Sequence, residues 1–337
     1  MILIITAPDD EPADLVESIL RTRGAEVLRF DIADFPARAN LTISYRQGVP
    51  KYCVRVAGNT HRFDRVDAVW YRKPGAVNVH AAIKDEEVRN VLGQDCREFL
   101  SSFWESLDAR ALPGTPSDLQ YAQRKASQLG RAQALGFEIA PTIVSNDPAE
   151  FLDLYRSQSG RLISKIIGSL TLRSRMGSEF MRYTNTVSTR DVMHAQSIAH
   201  GPLVLQSYVP KRVEIRVTVV GRRVFACEIH SQTTNRTRFD WRRYDLRATP
   251  HKVHELPADV ARRCVDLVAQ SRLTYGTIDL ILTPDDRYVF LELNSAGEYG
   301  WIEQLTGLPI SAAIADFLLG DAAVASATNS PRKVLYA

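Results

Sequence analysis

The sequence predicts a mixed α/β (α+β) protein in which a small leading unit precedes a larger, strand-rich body. Three observations carry this. Residues 1–30 run strand, helix, strand, which implies parallel strands joined by a crossover helix. The last third alternates apolar strand patterns with one periodic helix, "PADVARRCVDLVAQSR". Within that third, "TIDLILTPDDRYVFLELN" reads as two strands turned by Pro and Asp.

Taken in order, "MILIITA" is a buried strand, and "EPADLVESILRTRG" is a helix with Leu15, Ile19 and Leu20 on one face and Gly24 as its stop. "AEVLRFDI" is the next strand. "LTISYR" and "KYCVRVAG" form a hairpin around Gln47-Gly48-Val49-Pro50. "VDAVWYRKP" is a strand ended by Pro74, and a long helix covers about Glu86 to Asp108. The Pro/Gly/Ser-rich "ALPGTPSD" marks a boundary near residue 113. The second unit opens with one helix, "DLQYAQRKASQLGRAQALG", then strand "IAPTIVS", helix "PAEFLDLYRSQ" and strand "RLISKII". The polar "GSLTLRSRMGSEF" and the strand "GPLVLQSYVP" follow. The third unit runs "VEIRVTVVG", "RRVFACEIHSQ", the helix and hairpin named above, and a terminal helix "PISAAIADFLLG". The expected segments are 1–113, 114–205, 206–322 and a frayed tail at 323–337.

The bulk properties are those of an ordinary globular protein: 337 residues, 45% hydrophobic and 24% charged, with net charge +3. So mild a basicity does not argue for nucleic acid. No apolar run approaches the ~20 residues that span a bilayer. The acidic start "MILIITAPDDEP" does not read as a signal peptide. Cys53, Cys96, Cys227 and Cys264 are scattered and read as reduced thiols of a cytoplasmic protein. His251 and His254 have i, i+3 spacing, but flanking Pro250 and Pro257 favour a loop over a zinc site.

The chemistry starts at the late hairpin. With Pro284 to Arg287 as its loop, Thr283 faces Tyr288, Ile281 faces Phe290 and Asp279 faces Glu292. Asn294 then lies opposite Thr277. Ile278, Leu280, Leu282, Val289, Leu291 and Leu293 make the core face. Two facing carboxylates repel and need a cation between them. All-oxygen ligands suit Mg²⁺, which takes one or two carboxylates plus substrate phosphates. The bland alternative is a solvated polar face.

Other residues could hold phosphates. Lys165 lies amid apolar strand residues, so it either snorkels from an edge strand or meets an anion. Gly168 and the polar loop after it could form a lid. Lys125 is a surface-helix lysine or a phosphate ligand. Glu214 and Arg216 share a strand face, as an ion pair or as ribose and phosphate contacts. Gln206, Ser207, Tyr208 and Val209 could offer backbone groups to an adenine edge. No GxxxxGKS or GxGxxG occurs.

With these residues in place, residues 115–320 resemble an ATP-grasp carboxylate–amine/thiol ligase, and the first unit resembles the small pre-ATP-grasp domain that precedes it. The resemblance implies the ATP-grasp fold and ATP with Mg²⁺, as two ions. It makes Asp279, Glu292 and Asn294 the metal ligands, and Lys125 and Lys165 the ATP-phosphate lysines. Gln206, Ser207, Tyr208 and Val209 become the adenine hinge, Glu214 the ribose carboxylate and Arg216 the phosphate arginine. The loop with Gly297 and Glu298 would lie beside the reacting phosphate. "VWYRKP", "SQTTNRTRFDWRRYD" and "ELN…G…WIEQLTGLPI" are more specifically similar to the graspetide (microviridin-type, omega-ester peptide) maturases, especially their actinobacterial branch. That likeness puts Asp240 and Arg242 at the acceptor site, where Arg grips a carboxylate bidentately. One departure stands out: the family's Asn-Pro-x-Gly is Asn294-Ser295-Ala296-Gly297 here.

The implied reaction activates Asp or Glu side chains of a ribosomal precursor peptide, docked by its leader, as acyl phosphates. Ser or Thr hydroxyls, or Lys amines, then close macrocyclic ω-ester or ω-amide links. The family implies a homodimer, with no nucleic-acid or membrane partner. Tyr71 and Arg72 would line an interdomain cleft or meet the leader, and Trp70 and Trp301 read as packing residues. Two other readings stay open: an ATP-grasp amino-acid ligase acting on a protein tail or small molecules, and a nucleotide-regulated binding module without catalysis.

Overall fold

A computed structural model of the chain describes residues 1–46, 48–165, 167–168, 171–173, 179–181, 184–233 and 249–320. The strand Ile2–Thr6 pairs in parallel with Val27–Phe30 on one side and Ala68–Lys73 on the other. Arg110–Leu112 completes this four-stranded sheet. The crossover helix Glu11–Thr22 buries Ala13, Val16 and Leu20, whereas Leu15, expected on its inner face, is 48% exposed. Positions 13, 16 and 20 keep the helical spacing, and Leu15 lies roughly 130° from the centre of that stripe. Gly24 ends the segment at φ +80°.

The early hairpin pairs Ala39–Arg46 with Val49–Val56, and its turn is tighter than the sequence suggested. Arg46 faces Val49 and Tyr45 faces Pro50, so both Val49 and Pro50 belong to the strand. A third strand, Asn59–Phe63, completes an antiparallel sheet. Its polar sequence gave no strand signal.

Two expected elements divide. The helix expected across residues 118–136 is two helices, Pro116–Ala122 and Lys125–Ala134. The first is opened by a reciprocal cap between Thr115 and Asp118. "IAPTIVS" splits at Pro141, which has no N–H for a ladder. Glu138–Ile139 runs parallel to Tyr288–Asn294, while Thr142–Ser145 pairs with Leu203–Ser207. The chain changes sheets at that proline.

The body therefore holds two main sheets. One runs Asn185–Thr186, Leu162–Lys165, Leu203–Ser207, Thr142–Ser145. The other has six strands: His251–Val253, Arg223–Ile229, Val213–Val220, Tyr275–Leu282, Tyr288–Asn294 and Glu138–Ile139. One face of the six-stranded sheet, with Ile215, Val217, Ile278 and Leu280, packs on the helix Ala258–Gln270 through Val260 and Leu267. Thr171–Arg173 and Glu179–Met181 form a separate two-stranded ladder where a lid loop was expected.

The leading unit is fused to this body. Ile4, Leu20 and Trp70 share one core with Ile310, Ile314, Phe317 and Leu318 of the helix Ile310–Leu319. Asp316 on that helix binds Arg23 of the leading unit, at 2.5 Å, and Arg223 of the six-stranded sheet. Burial alone would raise its carboxyl, but the two guanidiniums prevail and hold it below the ordinary range. Trp70 is 2% exposed, as a packing residue should be, and Trp301 lies at the rim of the same core. Among the described residues no helix is long and apolar enough to cross a membrane.

Asp316→Asn should cost about 1–3 kcal/mol of stability, read by urea unfolding. Because the folded pKa lies below the unfolded one, the wild-type contribution is present at neutral pH. It should fade as pH falls below about 4, through the depressed value.

Candidate active site

The other face of the six-stranded sheet carries three rows of side chains. Register places Glu214, Ile281 and Val289 in the first, and Arg216, Asp279 and Glu292 in the second. Thr218, Thr277 and Asn294 form the third. The expected pairings of Asp279 with Glu292 and Thr277 with Asn294 are therefore present.

Nearer the turn the expected register is off by one. Ile281 faces Val289, not Phe290, and Leu282 faces Tyr288. Thr283 belongs to the turn, where its backbone and hydroxyl are bonded to Arg287. A bulge between Asp279 and Leu280, which leaves Leu291 as the extra residue, restores the pairing at the carboxylates. It also re-sorts the faces. Phe290 and Tyr288 join the helix-side core, Phe290 against Phe137 at 5.7 Å. Val289 and Leu291, expected in that core, instead pack with Ile281, Ala140 and Val209 on the site side. That apolar patch borders the charged row.

Each carboxylate of the second row has a cation. Arg216 Nη1 donates to both oxygens of Asp279, at 2.8 and 2.9 Å, with both residues buried. Lys125 Nζ lies 3.7 Å from Glu292. Lys125 is the first residue of its helix, where a positive charge opposes the macrodipole. The buried Gln128 one turn on explains its position. Its side chain bonds both backbone groups of Leu293, tying the start of the helix to the strand that carries Glu292.

Glu214 does not pair with Arg216. It is buried and binds Lys211 at 2.7 Å. Burial pushes its carboxyl above the ordinary range, against the pull of Lys211. Lys211 had no signal in the sequence beyond its spacing of three from Glu214.

Lys165 is not on an edge strand: Leu162–Lys165 lies between Asn185–Thr186 and Leu203–Ser207. Its ammonium meets Gln206 Oε1 at 2.9 Å, and the Gln206 amide donates on to Thr142. In the segment expected as the hinge, the Ser207 and Tyr208 N–H groups are taken by the carbonyls of Pro141 and Arg161. Val209 reaches the apolar patch beside the charged row, so the segment 206–209 borders the site face. Asp240 and Arg242 lie outside the described residues.

The loop after Asn294 closes the site toward the leading unit. Asn294 Oδ1 accepts from the Ala296 N–H at 3.1 Å. Gly297 leaves no room for a side chain, since a Cβ there would sit 1.7 Å from Thr277 Oγ1. Its carbonyl accepts from Tyr275 Oη at 2.6 Å. Burial keeps the Tyr275 hydroxyl well above its ordinary range, so it donates as a neutral phenol. Glu298 meets Arg72 Nη2 at 2.7 Å and the Lys73 ammonium at 2.6 Å. Tyr71 packs between the two hydrophobic cores.

Among the described residues no three His, Cys, Asp or Glu converge as a metal cluster. The donor set here is two facing carboxylates and an amide on one sheet face, hard oxygens of the kind Mg²⁺ takes with substrate oxygens. Glu292 and Asn294 reach the surface while Asp279 is 7% exposed, so a cation could approach from the solvent side. The residues present fit a divalent ion.

Residues 1–116 match the description of an MvdD pre-ATP grasp domain. The whole chain is similar to a Chryseobacterium gregarium RiPP-associated ATP-grasp ligase, solved in complex with ADP and a leader and core peptide. Identity is 30%, coverage 94% of this chain and 96% of that one, and the TM-score 0.88. The chain belongs to the ATP-grasp peptide maturases, the graspetide ligases. The macrocyclase MdnB from Microcystis aeruginosa MRC is also 30% identical, over 95% of this ligase and 99% of MdnB, with TM-score 0.79. MdnC from the same organism, solved with precursor peptide MdnA, is 26% identical over 95% and 99%, with TM-score 0.84. No curated protein sequence matches.

In metal-free buffer, Arg216→Met should destabilise the ligase by about 3–5 kcal/mol, because Asp279 stays buried and loses the guanidinium that bonds both its oxygens. The double variant Arg216→Met, Asp279→Leu should recover most of that loss in urea unfolding.

Proposed function

We propose that this ligase joins side chains within a leader-bearing ribosomal precursor peptide, using ATP and Mg²⁺. The observation that carries the reading is the row Arg216–Asp279–Glu292, with Asn294 in the next row, inside a fold of the peptide-maturase family. Asp279, Glu292 and Asn294 would hold the metal, as two ions by family resemblance. When bound, the metal supplies positive charge to the oxygens of the transferring phosphoryl group. Lys125 and Lys165 would add charge at the phosphates, and Arg216 would orient Asp279 and face the phosphates. The patch of Ala140, Val209, Ile281, Val289 and Leu291 supports a base-binding wall, with Gln206, Ser207, Tyr208 and Val209 as its hinge. Glu214, held with Lys211, would meet the ribose.

A peptide carboxylate oxygen attacks the γ-phosphorus of ATP, the bond to ADP breaks and an acyl phosphate forms. A Ser or Thr hydroxyl, or a Lys amine, of the same peptide then attacks the acyl carbon. The bond to phosphate breaks and the attacking group gives up its proton. Holding both groups in one peptide gives high effective molarity. Arg242 would grip the carboxylate, and Asp240 would orient or deprotonate the nucleophile. The segments 1–113, 114–205 and 206–322 would act as pre-ATP-grasp, central and C-terminal units, with residues 323–337 as a tail. The family resemblance supports a homodimer, and four unpaired cysteines support a reducing, cytoplasmic setting.

Incubation with ATP, Mg²⁺ and the peptide encoded beside its gene should remove one water per bond formed, read by intact mass. Glu292→Ala should abolish ATP turnover and mass loss but retain peptide binding. Undiminished turnover in that variant would sink the metal assignment. A gain of amino-acid mass would instead establish a tail-adding ligase.

A further inference from the structure

Asn294 is the least restrained of the three metal-ligand candidates. It ends its strand and is exposed, and its Oδ1 is oriented by the Ala296 N–H. Its geometry therefore depends on where the backbone of residues 295–299 sits, and that stretch has no regular secondary structure of its own. Two contacts from the sheet hold its middle: the Tyr275 hydroxyl on the Gly297 carbonyl and the close approach of Gly297 to Thr277. The far end is held from outside the sheet altogether. Glu298 lies between Arg72 and Lys73, the last two residues of the strand Ala68–Lys73 in the leading unit.

We propose that Arg72 and Lys73 are positioning residues for the metal, holding Asn294 in its ligating orientation through Glu298 and the loop between them. The inference rests on the Mg²⁺ reading of Asp279, Glu292 and Asn294.

The arrangement is built for direction more than for adhesion. Arg72 is 5% exposed, with Asp10 at 3.4 Å and the Tyr299 ring below its guanidinium at 5.3 Å. Asp10 is in turn bonded by the Thr6 hydroxyl at 2.6 Å. Removing a guanidinium from water is costly, and an apolar pair would bind two domains with less penalty. The shared core around the helix Ile310–Leu319 and the Asp316 clamp already join leading unit and body. What Arg72 adds is a directed hydrogen bond to one carboxylate at a fixed point of the metal loop. Partners behind a metal ligand typically contribute tenfold or more to metal affinity.

The test measures binding of adenylyl imidodiphosphate to the full chain by calorimetry, once with Mg²⁺ and once with EDTA, alongside the melting temperature. The wild type should bind more tightly with Mg²⁺, and Glu292→Gln should remove that gain. Glu298→Gln and Arg72→Lys should each reduce the Mg²⁺-dependent gain by about tenfold, with affinity in EDTA unchanged. Asp316→Asn, which loosens the same two units elsewhere, should keep the full gain. If the wild type shows no gain, the metal reading falls and this inference falls with it. If Glu292→Gln loses the gain while Glu298→Gln and Arg72→Lys keep it, the inference alone is overturned. An equal loss in Asp316→Asn would reduce Arg72 and Lys73 to general interdomain contacts and overturn their positioning role.

Discussion

Two carboxylates, Asp279 and Glu292, face each other across an antiparallel strand pair, and much of the surrounding structure answers their repulsion. Arg216 approaches Asp279 along the next strand of the same sheet. Lys125 approaches Glu292 from a helix start, a position where a lysine is otherwise unfavourable. Neither cation would be placed there for folding alone, since an apolar row would pack at less cost. The row is an electrostatic assembly into which a further cation and anionic phosphates can enter.

The rest of the fold positions this row. The helix Ala258–Gln270 covers the opposite face and leaves the site face to the charged row. Pro141 ends one short strand of the six-stranded sheet and lets the chain begin an edge of the other, and Val209 packs in the apolar patch beside it. The leading unit shares its core with the last described helix, so the end of its strand Ala68–Lys73 faces the loop after Asn294 as part of one packed body. Family membership fits this economy: in the Chryseobacterium gregarium relative the likeness covers 94% of the chain, leading unit included.

Much of this was legible from residue order. Asp279, Glu292 and Asn294 could be placed on one face because strand side chains alternate with a fixed period of two. The parallel start followed from strand, helix, strand at short spacing. What was illegible had a physical cause in each case. Asn59–Phe63 is a strand because its neighbour offers a ladder, not because its polar residues prefer one. Leu15 is apolar yet exposed, since the direction of the core is set by the sheet beneath the helix. The turn at Thr283 and the bulge at Leu291 shift the register in opposite senses, and no local pattern announced either.

The sequence by itself determined the fold class, the shared face of Asp279, Glu292 and Asn294, and the family likeness, because these rest on periodicity and on residues close in the chain. Tertiary structure alone decided the charge partners: Arg216 with Asp279, Lys125 with Glu292, Lys211 with Glu214, and Arg72 with Glu298. Three of these four pairs join residues far apart in sequence. Which cation reaches which carboxylate depends on sheet order and on how domains dock, and neither is written in any local stretch of the chain.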